Sequence, residues 1–95
     1  MKIVKKSTQF KKDFKRVQHD RKKVAELYEI VNQLALGESI PKENKPHSLH
    51  GNYENYMECH IEDDFLLIWY DKIKDCIELV RLGKHSELFG KTKRK

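Results

Sequence analysis

Three segments of alternating apolar and polar residues, at roughly 53–60, 64–71 and 75–82, follow one another almost without interruption. Only Glu62-Asp63 and Lys72-Ile73-Lys74 separate them. Connections that short close only antiparallel hairpins, so the carboxy-terminal half must be a β-meander. Side chains on a strand alternate between faces, and this sorts the residues. Phe65, Leu67 and Trp69 share one face of the middle segment, and Asp64, Leu66, Ile68 and Tyr70 the other. In the first segment Glu58 and His60 lie opposite Met57 and Cys59. In the last, Ile77, Leu79 and Arg81 alternate with Cys76, Glu78, Val80 and Leu82.

A meander with one apolar face needs a covering layer, and the amino-terminal half supplies it. Lys2 to Lys6 reads as a short strand. Ser7 or Thr8 offers a hydroxyl cap, and Phe10, Phe14 and Val17 follow at i, i+4 and i+7, an apolar stripe on a helix. Asp20 caps a second helix whose stripe is Val24, Leu27, Tyr28, Val31, Leu34 and Ala35, and Gly37 fits the position that ends it. Residues 37–52 hold Gly37, Pro41, Pro46 and Gly51 and read as a loop. The order is β-α-α-β-β-β. This predicts a two-layer α+β fold, a helical hairpin packed on a mainly antiparallel four-stranded sheet, over residues 1–90, with a basic tail at 91–95.

At 95 residues the chain has room for one domain and none for a separate cofactor-binding unit, and no cofactor is expected. No apolar run reaches the ~20 residues of a membrane span, and the start lacks an export signal, so no membrane partner is expected. Cys59 and Cys76 then read as reduced thiols of a cytoplasmic protein. Charge is uneven: residues 1–23 carry net +8, residues 24–90 net −7, and the tail +4. Lys11, Lys12, Lys15, Arg16, Lys22 and Lys23 form a basic helical surface. It suits either a polyanion such as RNA or plain solvation, and composition does not choose between them.

Polar residues with useful chemistry gather at strand ends and in loops: His47, His50, His60, Asp64, Arg81 and His85. Histidine acts as acid or base near neutral pH, and arginine grips a phosphate with two parallel hydrogen bonds. Such a set suits RNA cleavage without a metal. A base takes the 2′-hydroxyl proton, a cation steadies the charged phosphorane, and an acid protonates the leaving 5′-oxygen. Zinc is disfavoured, because Cys59 and His60 are strand neighbours on opposite faces. Cys59 reads as a small buried apolar residue, and Trp69 and Tyr70 as packing.

The stretches Lys45-Pro46-His47-Ser48-Leu49-His50-Gly51, Tyr56 to Tyr70 (with Glu58-Cys59-His60 and Asp63-Asp64-Phe65-Leu66-Leu67-Ile68), and Val80 to Gly90 (Arg81-Leu82-Gly83-Lys84-His85, then Phe89) together form a specific pattern. It resembles the YafQ-like branch of the RelE/ParE toxin superfamily over nearly the whole chain. The resemblance implies the toxin of a type II toxin–antitoxin pair, an mRNA endonuclease that cuts message in the ribosomal A site and is neutralised by a cognate antitoxin. The partners implied are that antitoxin, the ribosome and mRNA. The catalytic positions carried over are His47, His60, Asp64, Arg81, His85 and Phe89. Where the branch commonly has Trp after the Asp, this chain has Phe65.

Within that reading His85 is the acid and His60, supported by Asp64, the base, with the reverse order open until geometry decides. Arg81 holds the scissile phosphate, His47 orients the substrate, and Phe89 stacks on or wedges a base. The basic helices would contact ribosomal RNA. Two other readings compete: a gyrase-inhibiting toxin of the same fold, and a non-enzymatic RNA-binding module built on the basic block.

Overall fold

The computed structural model describes residues 1–51, 55–72 and 75–89. The basic tail, Lys91 to Lys95, lies outside the described residues, as do residues 52–54 and 73–74. The chain runs β1 (Ile3–Lys6), α1 (Thr8–Val17), α2 (Arg21–Ala35), a 3₁₀ turn (Lys42–Asn44), β2 (His47–Ser48), β3 (Met57–Glu62), β4 (Phe65–Lys72), β5 (Cys76–Gly83) and α3 (His85–Phe89).

Local chemistry sets the helix ends. Ser7 caps α1: its Oγ accepts from the Phe10 N–H at 2.9 Å and donates to the Val80 carbonyl at 2.9 Å, so the cap also ties the helix to β5. Asp20 caps α2 by accepting from the Lys23 N–H. At its far end Gly37 takes φ +78°, its N–H donates to the Leu34 carbonyl, and the Glu38 N–H reaches back to Gln33. That paired return requires a left-handed residue, and glycine adopts it without a Cβ penalty.

The sheet is five-stranded, in the order β1-β5-β4-β3-β2. The meander pairs antiparallel as expected, and β1 lies parallel to β5 from Ile3↔Cys76 to Lys6↔Leu79. The additional strand is β2, whose two residues pair with Met57 and Glu58. It falls inside the segment expected to be loop, because two residues carry no periodicity to read. The helix α3 also exceeds the expectation of an exit loop.

Phe10, Leu27, Ile30 and Leu34 pack on Cys59, Ile61, Phe65, Leu67, Trp69, Ile77, Leu79 and Leu82 to form the main core. Two side chains depart from the sequence-derived faces. In α2, Ile30 is buried while Tyr28 is 54% exposed, leaning on Phe14, so Leu27, Ile30 and Leu34 make the inner stripe. In β5 the register shifts opposite Ile68 and Trp69, which pair with Arg81 and Leu79, so Val80 is a bulge. The inserted residue reverses the alternation, and Leu82 joins Ile77 and Leu79 in the core instead of facing away from them. The other face carries Leu66 and Ile68, with Leu88 of α3 and the half-buried Leu49, Tyr56, Val80 and Phe89 against them. Among the described residues no helix is long and apolar enough to cross a membrane.

Candidate active site

The face away from the helical hairpin, at the end where β3 turns into β4 and β5 leaves the sheet, collects the histidines. His60 stands on β3 opposite Leu66, which pairs onward with Gly83. Gly83 takes φ +150°, and the chain then enters α3. The His85 ring arrives 6.1 Å from that of His60, centroid to centroid, and Phe89, one helical turn on, lies 5.6 Å from His85.

Asp64, in the β3–β4 turn, reaches across to α3. Its Oδ1 accepts from the His85 N–H at 3.1 Å and lies 3.5 Å from His85 Nδ1. The His85 N–H is the foremost cause holding the Asp64 carboxyl below its ordinary value, with the His85 ring adding to it. The expectation that Asp64 supports His60 is therefore corrected, because its partner is His85. The carboxylate thus fixes the position of His85 at the start of α3.

His60 is oriented differently. Its Nδ1 lies 3.0 Å from the Asp63 carbonyl oxygen. A carbonyl only accepts, so Nδ1 is the donor of this contact.

His47 stands one strand out, on β2. Its Nδ1 faces the Lys45 carbonyl at 2.9 Å and its Nε2 lies 3.0 Å from Glu58 Oε1. Both ring nitrogens thus face oxygen atoms. Glu58 is 2% exposed, and its Oε2 has no hydrogen-bond partner among the described residues. The pairings His47↔Glu58, Glu58↔Ile68 and Ile68↔Arg81 form one continuous row across the sheet. His60 follows Glu58 by two residues on the same face.

Arg81 lies on that row, paired with Ile68. Its Nε donates to Asp13 Oδ2 at 2.8 Å and a terminal nitrogen to Asp13 Oδ1 at 3.4 Å. The structure thus brings His60, Asp64, His85 and Phe89 together, and places His47 and Arg81 on the neighbouring row. Glu58 and Asp13 carry no role in the sequence reading. Glu58 alternates with His60, and Asp13 interrupts the apolar stripe between Phe10 and Phe14, a signal that was available. Cys59, buried in the core, has its thiol pushed up to about 12 by burial and then by the charge of Glu58, which makes it inert.

The basic residues divide. Lys22 and Lys23 both hold Glu62, at 2.8 and 2.7 Å, and Arg16 lies 3.7 Å from Glu87. Those cations are partly neutralised. Lys11, Lys12 and Lys15 are exposed, with no ion pair recorded among the described residues. Lys6, Lys11 and Lys15 rim an apolar groove of about 290 Å³ between α1 and α2, lined by Phe10, Phe14, Leu27, Tyr28 and Val31.

Comparison with known proteins adds an independent finding. Residues 2–90 match the family described as a bacterial toxin of type II toxin–antitoxin systems, YafQ. The chain is 33% identical over 86 residues to the mRNA interferase toxin YafQ of Escherichia coli K12, covering 88% of this chain and 91% of that protein. A metal-bound toxin from Helicobacter pylori shares its fold with TM-score 0.85 at 36% identity, over 94% of this chain and all of that one. The toxin–antitoxin complex DinJ–YafQ of Escherichia coli contains a chain matching with TM-score 0.82 at 30% identity, over 94% of this chain and 98% of that one. Among the described residues of this chain, no three His, Cys, Asp or Glu side chains converge on a point that would hold a metal ion.

Proposed function

The chain belongs to the YafQ family of bacterial toxins of type II toxin–antitoxin systems, and on that premise we propose that it is an mRNA interferase, a ribosome-dependent endoribonuclease that cleaves message in the A site by acid–base catalysis. His60 Nε2 takes the proton of the 2′-hydroxyl. The freed oxygen attacks the adjacent phosphorus, and Arg81 steadies the charge of the phosphorane. The bond to the 5′-oxygen breaks as His85, held in place by Asp64, gives that oxygen a proton. One strand becomes two, ending in a 2′,3′-cyclic phosphate and a 5′-hydroxyl. Phe89 stacks on a base beside the cut, and the His47–Glu58 pair binds or relays a proton at the neighbouring row. No metal takes part.

One observation carries this reading: two histidines 6.1 Å apart, with Asp64 fixed on one and a backbone carbonyl on the other. That span is about two hydrogen-bond lengths, which lets one phosphate be reached from both sides. The name of the Escherichia coli relative, an mRNA interferase, supports the same substrate. The exposed Lys11, Lys12 and Lys15 supply sequence-independent attraction to ribosomal RNA, and action on the ribosome makes the protein cytoplasmic.

The cognate antitoxin is the second partner, as relatives form such complexes. An antitoxin segment with acidic residues would complement the lysines rimming the α1–α2 groove.

The test is single-turnover cleavage on programmed ribosomes, with binding measured separately. His85→Ala should lose about 10²–10⁴-fold in rate and keep its binding. Equal translation inhibition by both forms would indicate a binding module. Intact translation with damaged DNA would indicate a gyrase poison.

A further inference from the structure

Asp13 is an acid within the most basic part of the sequence, yet its side chain is completely buried. Four donors of the described residues meet it. Arg81 Nε and a terminal Arg81 nitrogen approach at 2.8 and 3.4 Å, the Leu82 N–H at 3.0 Å, and the Gln9 side-chain amide at 3.1 Å. The topology explains its place. The parallel ladder of β1 with β5 ends at Lys6↔Leu79. Beyond it Ser7 covers the Val80 carbonyl and Asp13 covers the Leu82 N–H, so α1 replaces a missing strand along this edge. Arg81 lies between those two points, just after the bulge that alters the direction of β5.

An edge N–H needs only one neutral acceptor, and a hydroxyl or amide would serve. A buried carboxylate carries a desolvation penalty that only a well-fitted cation offsets. Burial raises the Asp13 carboxyl, but hydrogen bonds from Arg81, Leu82 and Gln9 outweigh it and leave the group below its ordinary value. The fork on Arg81 fixes both the position and the plane of the guanidinium, which a single contact would leave free to rotate.

We propose that Asp13 is a positioning residue for cleavage: it locks the guanidinium plane of Arg81 in the orientation that receives the scissile phosphate. This rests on the reading of Arg81 as the phosphate clamp. Misplacing such a group by about 1 Å costs roughly 100-fold in rate, so Asp13→Asn, which keeps an acceptor for Leu82 but loses the charged fork, should slow cleavage by about 10- to 100-fold.

The experiment is a double-mutant cycle in single-turnover cleavage on programmed ribosomes, using Asp13→Asn, Arg81→Ala and both together, with ribosome affinity measured alongside. The expected result is a loss in each single variant, unchanged affinity for Asp13→Asn, and no further loss when Asp13→Asn is added to Arg81→Ala. A wild-type rate for Asp13→Asn, or an equal further loss in the Arg81→Ala background, would overturn the proposal while leaving the clamp intact. A wild-type rate for Arg81→Ala would remove the clamp itself, and the proposal with it. If Asp13→Asn does not fold, the Nε–H resonance of Arg81 in the wild-type protein decides. It should exchange slowly with solvent compared with that of the exposed Arg21, and equal exchange would overturn the fork.

Discussion

Replacing Gly83 by alanine should damage the site without touching any residue that carries its chemistry. Gly83 joins β5 to α3 with φ +150°, a conformation that L-residues rarely adopt. Holding alanine there costs about 1–3 kcal/mol in backbone strain. The new Cβ would also stand 2.6 Å from Glu87 Oε1. That oxygen ends a flexible side chain, so the clash itself is relieved by rotating Glu87 away. The rotation breaks the bond in which Glu87 Oε1 accepts from the Lys84 N–H at 2.8 Å, the cap of α3. A lost cap adds about 1 kcal/mol. The total, roughly 2–4 kcal/mol, is a large part of the 5–15 kcal/mol that stabilises a typical domain.

Urea denaturation measures it directly: with a slope near 1–1.5 kcal/mol per molar urea, the midpoint should fall by roughly 2 M. Glu87→Ala alone should cost about 1 kcal/mol, because it removes the cap and leaves the strain absent. The double variant should cost less than the sum, since the clash has gone. Cleavage should drop with Gly83→Ala even at urea-free equilibrium, because α3 carries His85 and Phe89. An unchanged midpoint together with an unchanged cleavage rate would refute both the strain and the role of the cap.

Leu67, fully buried between helices and sheet, should cost about 2–5 kcal/mol as alanine, read from the same denaturation curves. Glu62 is pulled down to about 2 by hydrogen bonds from Lys22 and then Lys23. A carboxylate depressed in the folded state stabilises above its ordinary 4.5, and that contribution disappears as pH falls toward 2, so Glu62→Gln should flatten stability across that window. Reversing Lys11, Lys12 and Lys15 to Glu should weaken ribosome binding and lower its salt dependence while thermal stability holds, and unchanged binding would return that face to plain solvation.

Much of the fold was legible because helices and hairpins advertise themselves locally. The Phe10–Phe14–Val17 stripe, the caps at Ser7 and Asp20, the stop at Gly37 and the short turns of the meander each follow from a few adjacent residues. What escaped depends on distant pairing. The two residues of β2 become a strand only because β3 lies beside them, and nothing in Leu79-Val80-Arg81 announces a bulge. The same distinction separates the site residues. The histidines and Arg81 stand out by type, and the resemblance assigns them. The partners do not stand out: Asp64 turns to His85 through a helix that the sequence showed as loop. Asp13 and Glu58 are carboxylates whose meaning comes from burial, which residue type does not report.

The chemistry of the cut ends tests the central assignment most directly. Message cleaved on programmed ribosomes by the wild-type protein should carry a 2′,3′-cyclic phosphate upstream and a 5′-hydroxyl downstream, because His60 activates the neighbouring hydroxyl and His85 protonates the leaving oxygen. Fragments with 5′-phosphate ends would contradict the account.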